Sequence, residues 1–136
     1  MDCRIIFYSA KKTSYCEKAI RKCTSGLGLN ISYASFATNN YSLGSQLIEG
    51  FEECDFVFVV GGLDFDDSRS VKKITESAVS DLDIDFCKKL KNESGEDGYI
   101  LRAGNQILIL LPDYPEQIEA VLQGCVSDYI RSAIQK

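Results

Sequence analysis

Two short segments hold the residues of this chain that could do chemistry. The first is Gly61-Gly62-Leu63-Asp64-Phe65-Asp66-Asp67-Ser68-Arg69. Its glycines let backbone approach a ligand with no Cβ in the way. Asp64, Asp66 and Asp67 offer oxygen ligands of the kind that hold Mg2+ or Ca2+. The same aspartates would equally suit a solvated loop that caps the following helix, where negative charge is favourable. Arg69 either pairs with them or receives a phosphate. The second segment is Pro112-Asp113-Tyr114-Pro115, in which Asp113 reads first as a cap for the last helix and otherwise as a ligand group. Asn39 and Asn40 read as loop and cap residues or as ligand contacts. Lys11 and Lys12 are the cations best placed to meet an anion.

What is missing narrows the chemistry. The chain has no histidine, which removes histidine triads, dyads, metal ligands and proton shuttles. Catalysis would rest on carboxylates, lysine, tyrosine or a bound metal, and no residue is assigned a catalytic or metal-ligating role outright. The six cysteines form no C-x-x-C pair and are expected as buried free thiols. A formal net charge of -5 argues against a nucleic-acid partner, which needs a basic face. No apolar run approaches the roughly 20 residues of a membrane span. Met1-Asp2-Cys3-Arg4 leads straight into a strand-like run without a signal-peptide pattern, so a cytoplasmic protein is expected. At 136 residues with 45% hydrophobic content, residues 1–136 form a single packed domain.

The elements that position these segments follow from periodicity. Phe56 to Val60 is an unbroken apolar run, as in a parallel strand buried on both faces. Arg4 to Ser9 and Ile31 to Phe36 read as two earlier strands. Between them a helix opens at a capping box, Ser14-Tyr15-Cys16-Glu17, with Cys16, Ala19, Ile20 and Cys23 inward. It ends at Ser25-Gly26-Leu27-Gly28. Leu43, Leu47, Ile48 and Phe51 form the apolar stripe of a second helix. Val71, Ile74, Ala78, Val79 and Leu82 form that of a third. Residues 83–90 fit a strand or a helix extension, and 91–98 a polar loop. Tyr99 to Arg102 and Gln106 to Leu111 form a hairpin across Ala103-Gly104-Asn105. Pro115 opens one last helix that runs through Ile118, Leu122, Val126, Ile130 and Ile134. The order predicts a three-layer α/β/α fold, a mostly parallel sheet with one antiparallel strand near the C-terminus.

Three stretches carry a family resemblance: Glu52 to Leu63, Gln106 to Glu116, and the amphipathic helix from Glu116 to Ile130. Together they resemble the molybdopterin-binding fold of molybdenum cofactor biosynthesis proteins and of the N-terminal domain of competence-damage-inducible (CinA-like) proteins. The resemblance covers roughly residues 30 to 130. It implies molybdopterin or a nucleotide with Mg2+ as ligand and a tendency to form homo-oligomers, for which the hairpin would offer an edge. It also implies ligand contacts at Gly61, Gly62, Asp64, Asp66, Asp67, Arg69, Asn39, Asn40, Pro112 and Asp113.

The departures from that pattern concern charge. The family's Gly-Gly-x-Gly has Asp64 in its last place, and its Pro-Gly-x-Pro turn reads Pro112-Asp113-Tyr114-Pro115. Its acidic pair after the second strand falls on Thr38-Asn39. The acidic residue before the third helix falls on Ser68-Arg69, with Asp66-Asp67 two places early. Its Gly-Asp after the first strand is absent from Tyr8-Ser9-Ala10-Lys11. Family ligands are anions held by backbone N–H groups at turns and helix N-termini. A carboxylate a few ångströms from such an anion costs on the order of 1 kcal/mol or more. Three functions are therefore compared: a divergent protein of this fold that binds a pterin or nucleotide-like ligand weakly and has lost the family's catalytic acids; a Mg-dependent nucleotidyl transferase or pyrophosphatase using Asp66 and Asp67; and a non-catalytic protein-interaction module.

Overall fold

The apolar run Phe56–Val60 is a strand with every side chain fully buried. The computed structural model describes residues 2–63, 65, 67, 70–78, 86–123 and 125–134. Its strands are β1 (Asp2–Tyr8), β2 (Asn30–Ala37), β3 (Phe56–Val60), β4 (Phe86–Leu90), β5 (Gly98–Ala103) and β6 (Gln106–Leu111). Its helices are α1 (Thr13–Thr24), α2 (Asn40–Glu53), α3 (Val71–Ala78), α4 (Pro115–Leu122) and α5 (Cys125–Ile134). Among the described residues the strands form one six-stranded sheet, ordered β2-β1-β3-β6-β5-β4. β2, β1, β3 and β6 pair parallel, while β5 runs against both of its neighbours. The mostly parallel α/β sheet with one reversed strand is thus the fold the periodicity predicts. None of the helices among the described residues is long and apolar enough to cross a membrane.

Alternation along the central strands sends side chains to two cores. Ile5, Phe7, Phe56, Phe58 and Val60 pack with Cys16 and Ile20 of α1, Ile118 and Leu122 of α4, and Ile130 of α5. Ile6, Tyr8, Val57 and Val59 pack with Leu43 and Leu47 of α2, Val71 of α3 and, at the margin, Ile74. Helices therefore cover both faces, as a sheet buried on two sides requires. At the amino edge of the sheet the Arg4 guanidinium, itself buried, binds the Glu53 carboxylate at the end of α2. The Arg4 side chain passes beside Gly50, where a Cβ would make an ordinary contact with Arg4 Cδ at 3.4 Å.

Five expectations change. The α1 capping box does not form, because the helix already starts at Thr13. Lys12 turns left-handed (φ 52°) and its carbonyl accepts from the Cys16 N–H at 3.0 Å, which leaves Ser14 inside the helix. The last helix is two helices. Gln123 is extended at the end of α4 (ψ 160°), next in sequence to Gly124, a residue unfavourable within a helix. The Tyr99–Leu111 hairpin is no edge, because residues 86–90 pair with β5 and cover it. Ile48 is 60% exposed, for it points to the solvent side of α2 while Leu43 and Leu47 point to the sheet. Cys87 is exposed on β4, unlike the buried Cys3, Cys16 and Cys54. Val79, Leu82 and residues 83–85 lie outside the described residues.

Gly62 has φ +78°, and a Cβ on it would meet the Tyr8 ring at 2.4 Å. Gly104 has φ +62° with nothing within 4 Å. Gly62→Ala should therefore destabilise by roughly 3 kcal/mol, strain and collision together. Gly104→Ala should cost only about 1 kcal/mol of strain. Denaturant unfolding of both variants measures the difference. Burial, with Cys54 nearby, pushes the Cys3 thiol up to about 12. Burial, then Asp113 and Glu116, push Cys16 up to about 11. In a folded-state alkylation at pH 8, Cys87 should react while Cys3 and Cys16 stay protected until unfolding. Unfolded thiols ionise near 9.0, so the stability these two groups contribute is complete below that pH. It should fall as pH rises from there towards 11 and 12, as unfolding curves across that range would show.

Candidate functional site

The carboxyl ends of β1, β3 and β6 lie side by side at the middle of the sheet. From β1 the chain goes to β2 on one side and then returns to β3 on the other. This reversal of strand order is where an open α/β sheet leaves a crevice. The crevice here is a pocket of about 460 Å³. After β1 it is lined by Ser9 and Lys11; after β3, by Gly61, Leu63 and Phe65; after β6, by Pro112, Asp113 and Tyr114. Its far wall is Ser94, Gly95 and Glu96 of the β4–β5 loop, with Gln117 of α4.

Local chemistry places each wall. The turn after β1 uses two left-handed non-glycine residues, Ser9 (φ 47°) and Lys12 (φ 52°), each at a cost of roughly 1–2 kcal/mol. Gly61 (φ +98°) turns the chain after β3 directly beneath it, and a Cβ there would stand 2.4 Å from the Tyr8 carbonyl oxygen. The Gly61 N–H donates to the Leu111 carbonyl at 2.9 Å. The Gly62 carbonyl accepts from Phe65 N–H at 3.4 Å and Val71 N–H at 3.3 Å. The Phe65 ring meets Tyr8 edge-on at 6.2 Å. On the far wall, buried Asn92 donates to Gln117 Oε1 at 2.8 Å and to the Glu96 carbonyl at 3.0 Å. Its own N–H donates to Asp97 at 2.8 Å. The wall is thus pinned to α4 by side-chain amides.

Asp113 is the point where the expectation changes most. It does not cap α4, whose N-cap is Tyr114 with no side-chain cap bond. Its Oδ2 instead accepts from the Lys11 backbone N–H at 2.9 Å, across the mouth of the pocket. Pro115 opens α4 immediately after this segment. Lys12 Nζ lies over the Tyr114 ring at 5.8 Å, a second link between the same two loops. Among the described residues the lining charges are one lysine, Lys11, and two carboxylates, Asp113 and Glu96.

The sequence-derived residues divide into groups. Gly61, Pro112 and Asp113 come together in the pocket, beside Lys11. Gly62 packs underneath against Tyr8 rather than lining it. Asn39 and Asn40 serve α2: Asn39 Oδ1 accepts from Ser42 N–H at 2.8 Å and Asn40 Oδ1 from Tyr41 N–H at 3.1 Å. Neither is among the lining residues. Asp67 is exposed, and its carbonyl accepts from Ser70 N–H at 3.0 Å. Asp64, Asp66 and Arg69 lie outside the described residues. No three Asp, Glu or Cys side chains converge to hold an ion among the described residues. Sequence reasoning missed Leu63, Phe65, Ser94, Gly95, Glu96, Tyr114 and Gln117 as pocket walls. The turn residues Asn92, Ser94 and Gly95 were the available signal.

No family model matches the sequence, and no curated relative matches it. Solved structures do. The chain is similar to CinA, a protein of unknown function from Thermoplasma acidophilum, at 15% identity and a TM-score of 0.78, covering 95% of this chain and 97% of that one. It is similar to the molybdopterin biosynthesis Mog protein from Mycobacterium ulcerans, at 18% identity and a TM-score of 0.71, covering 97% and 98%. It is also similar to the molybdopterin biosynthesis enzyme MoaB from Thermus thermophilus, at 15% identity and a TM-score of 0.65, covering 99% and 97%. Likeness over nearly whole chains at such low identity is likeness of architecture, and the architecture of this chain is the molybdopterin-binding fold.

Proposed function

We propose that this chain is a divergent protein of the molybdopterin-binding fold that holds a pterin or nucleotide-like ligand weakly in the pocket above Gly61 and carries out no transfer chemistry. The observation that supports this reading is the Asp113–Lys11 hydrogen bond of 2.9 Å. A phosphoryl group in such a crevice is held by backbone N–H groups. Here the Lys11 donor is occupied by the chain's own carboxylate, and the Gly61 donor by the Leu111 carbonyl. What remains is a crevice with Leu63, Phe65 and Tyr114 on its walls, suited to the flat ring of such a ligand. The phosphate half meets Asp113 and Glu96, each a repulsion on the order of 1 kcal/mol where solvent reaches the pair. Mg2+ would offset that repulsion if bound; Asp64 and Asp66, which could help hold it, lie outside the described residues.

Isothermal calorimetry with AMP and with a pterin phosphate, with and without Mg2+, tests the reading. The wild-type chain should bind weakly. Asp113→Asn, which removes the charge but keeps an acceptor for Lys11, should tighten phosphate binding about fivefold. Asp113→Gly, which also frees the Lys11 N–H, should tighten it further, most of all with Asp64→Gly added. Unchanged affinity in all three variants would overturn the charge argument. Binding that needs Mg2+ and disappears in Asp66→Ala and Asp67→Ala would replace this reading with the metal-dependent transferase.

A further inference from the structure

Backbone groups fix which way the side-chain amides of the far wall face. The Ser94 N–H donates to the Asn92 side chain at 3.1 Å. A backbone N–H can only donate, so the atom it meets is the amide oxygen, Oδ1. Asn92 Nδ2 then gives one hydrogen to the Glu96 carbonyl at 3.0 Å and the other to Gln117 at 2.8 Å. The Gln117 atom that receives it is an acceptor, Oε1, and Gln117 Nε2 is turned the other way. Asn92 is 7% exposed and its own N–H is held by Asp97, so its polar atoms are all committed to this arrangement. Gly95 lies against the Gln117 amide, where a Cβ would meet Oε1 at 2.7 Å and Nε2 at 3.3 Å. Gln117 Nε2 carries two hydrogens and makes one long contact, 3.4 Å to the Ser94 carbonyl. The exposed Glu96 carboxylate accepts no hydrogen bond from the described residues. Both residues line the pocket.

We infer that Gln117 is a specificity-determining residue of this pocket, with Asn92 as its positioning residue, and that together with Glu96 it selects rings whose edge carries a carbonyl, an N–H and an amine in a row. The inference rests on the reading of the pocket as a ring site. The wall presents one donor, Gln117 Nε2, and a pair of acceptors, the Glu96 carboxylate oxygens. Its complement is a ring carbonyl that accepts from Gln117, next to a ring N–H and an exocyclic amine that both donate to Glu96. Guanine and pterins have that edge. Hypoxanthine has the carbonyl and the N–H but lacks the amine. Adenine offers an amine beside a bare ring nitrogen, so it leaves one Glu96 oxygen without a donor. A phosphate turned towards this wall meets the Glu96 charge, so the wall suits the ring end of a ligand. Leu63, Phe65 and Tyr114 remain to cover the faces of the ring.

Titration of the isotope-labelled chain with guanosine, inosine and adenosine, followed by NMR, tests this; nucleosides keep phosphate repulsion out of the measurement. Guanosine should bind about tenfold more tightly than adenosine, with inosine between them, and guanosine should shift the Gln117 side-chain amide resonances. Gln117→Glu, which replaces the donor by acceptors, should abolish the preference for guanosine. Glu96→Gln should bring guanosine down to the level of inosine. Asn92→Asp, which cannot donate to Gln117 Oε1, should reduce the preference while leaving adenosine affinity nearly unchanged. Asn92 is buried and its replacement carries a folding cost, so the two variants at the less buried Gln117 and Glu96 decide the outcome. Equal binding of the three nucleosides, binding of AMP with no binding of any nucleoside, or a guanosine preference that survives both Gln117→Glu and Glu96→Gln would overturn the inference and leave the ligand-pocket reading standing. No binding of any nucleoside, of AMP or of pterin phosphate would overturn both.

Discussion

A tyrosine at the end of one strand and two glycines at the end of its neighbour shape the whole carboxyl edge of this sheet. Tyr8 is 1% exposed, with its carbonyl against Gly61 and its ring against Gly62. No side chain fits at either glycine, and both need positive φ. The close approach lets β3 turn sharply and lets its following loop fold back, anchored on the Gly62 carbonyl. It also leaves the floor of the crevice bare between β1 and β6. The glycine pair is thus fully accounted for by packing, whatever the pocket holds.

Above that floor, the crevice is bounded by contacts between segments distant in sequence. Asp113 joins the loop after β6 to the loop after β1, 102 residues away in sequence. Asn92 and Gln117 join the β4–β5 loop to α4, 25 residues apart. Lys22 of α1 bridges to Glu119 of α4 at 3.2 Å, an exposed pair of small energy that lies on the same two helices. Each wall of the pocket is therefore tied by a hydrogen bond to an element distant in sequence. Among the described residues the charged lining of the pocket is Lys11, Glu96 and Asp113.

Much of this was legible from the residues alone. The unbroken run Phe56–Val60 announced a strand with no solvent face, and the Gly61-Gly62 pair announced the turn at its end. Apolar periodicity located α1, α2 and the hairpin. What stayed hidden depends on tertiary pairing. Phe86-Cys87-Lys88-Lys89-Leu90 has no strong alternation, and its extended state comes from its ladder with β5. The role of Asp113 could not be read locally, since the donor it meets belongs to another loop. A cap was the nearest local partner, and a distant one won. Ile48 was misplaced for a simpler reason: an apolar residue beside Leu47 belongs to the stripe by type, but its angle on the helix carries it out of the core.

The two borders of the sheet have a bearing on how copies of this chain can meet at all. Along β4, Lys88 and Lys89 are exposed, followed by exposed Lys91, so two such margins brought together would set positive charge against positive charge. Along β2, the Phe36 carbonyl already accepts from Gln46 Nε2 at 2.9 Å, which removes one of the groups a new strand would use. The β4 border in particular opposes end-to-end growth of sheet upon sheet, the open-ended mode that leads to fibres. The helical layers, not the sheet borders, are then the faces left for any contact between copies of the chain.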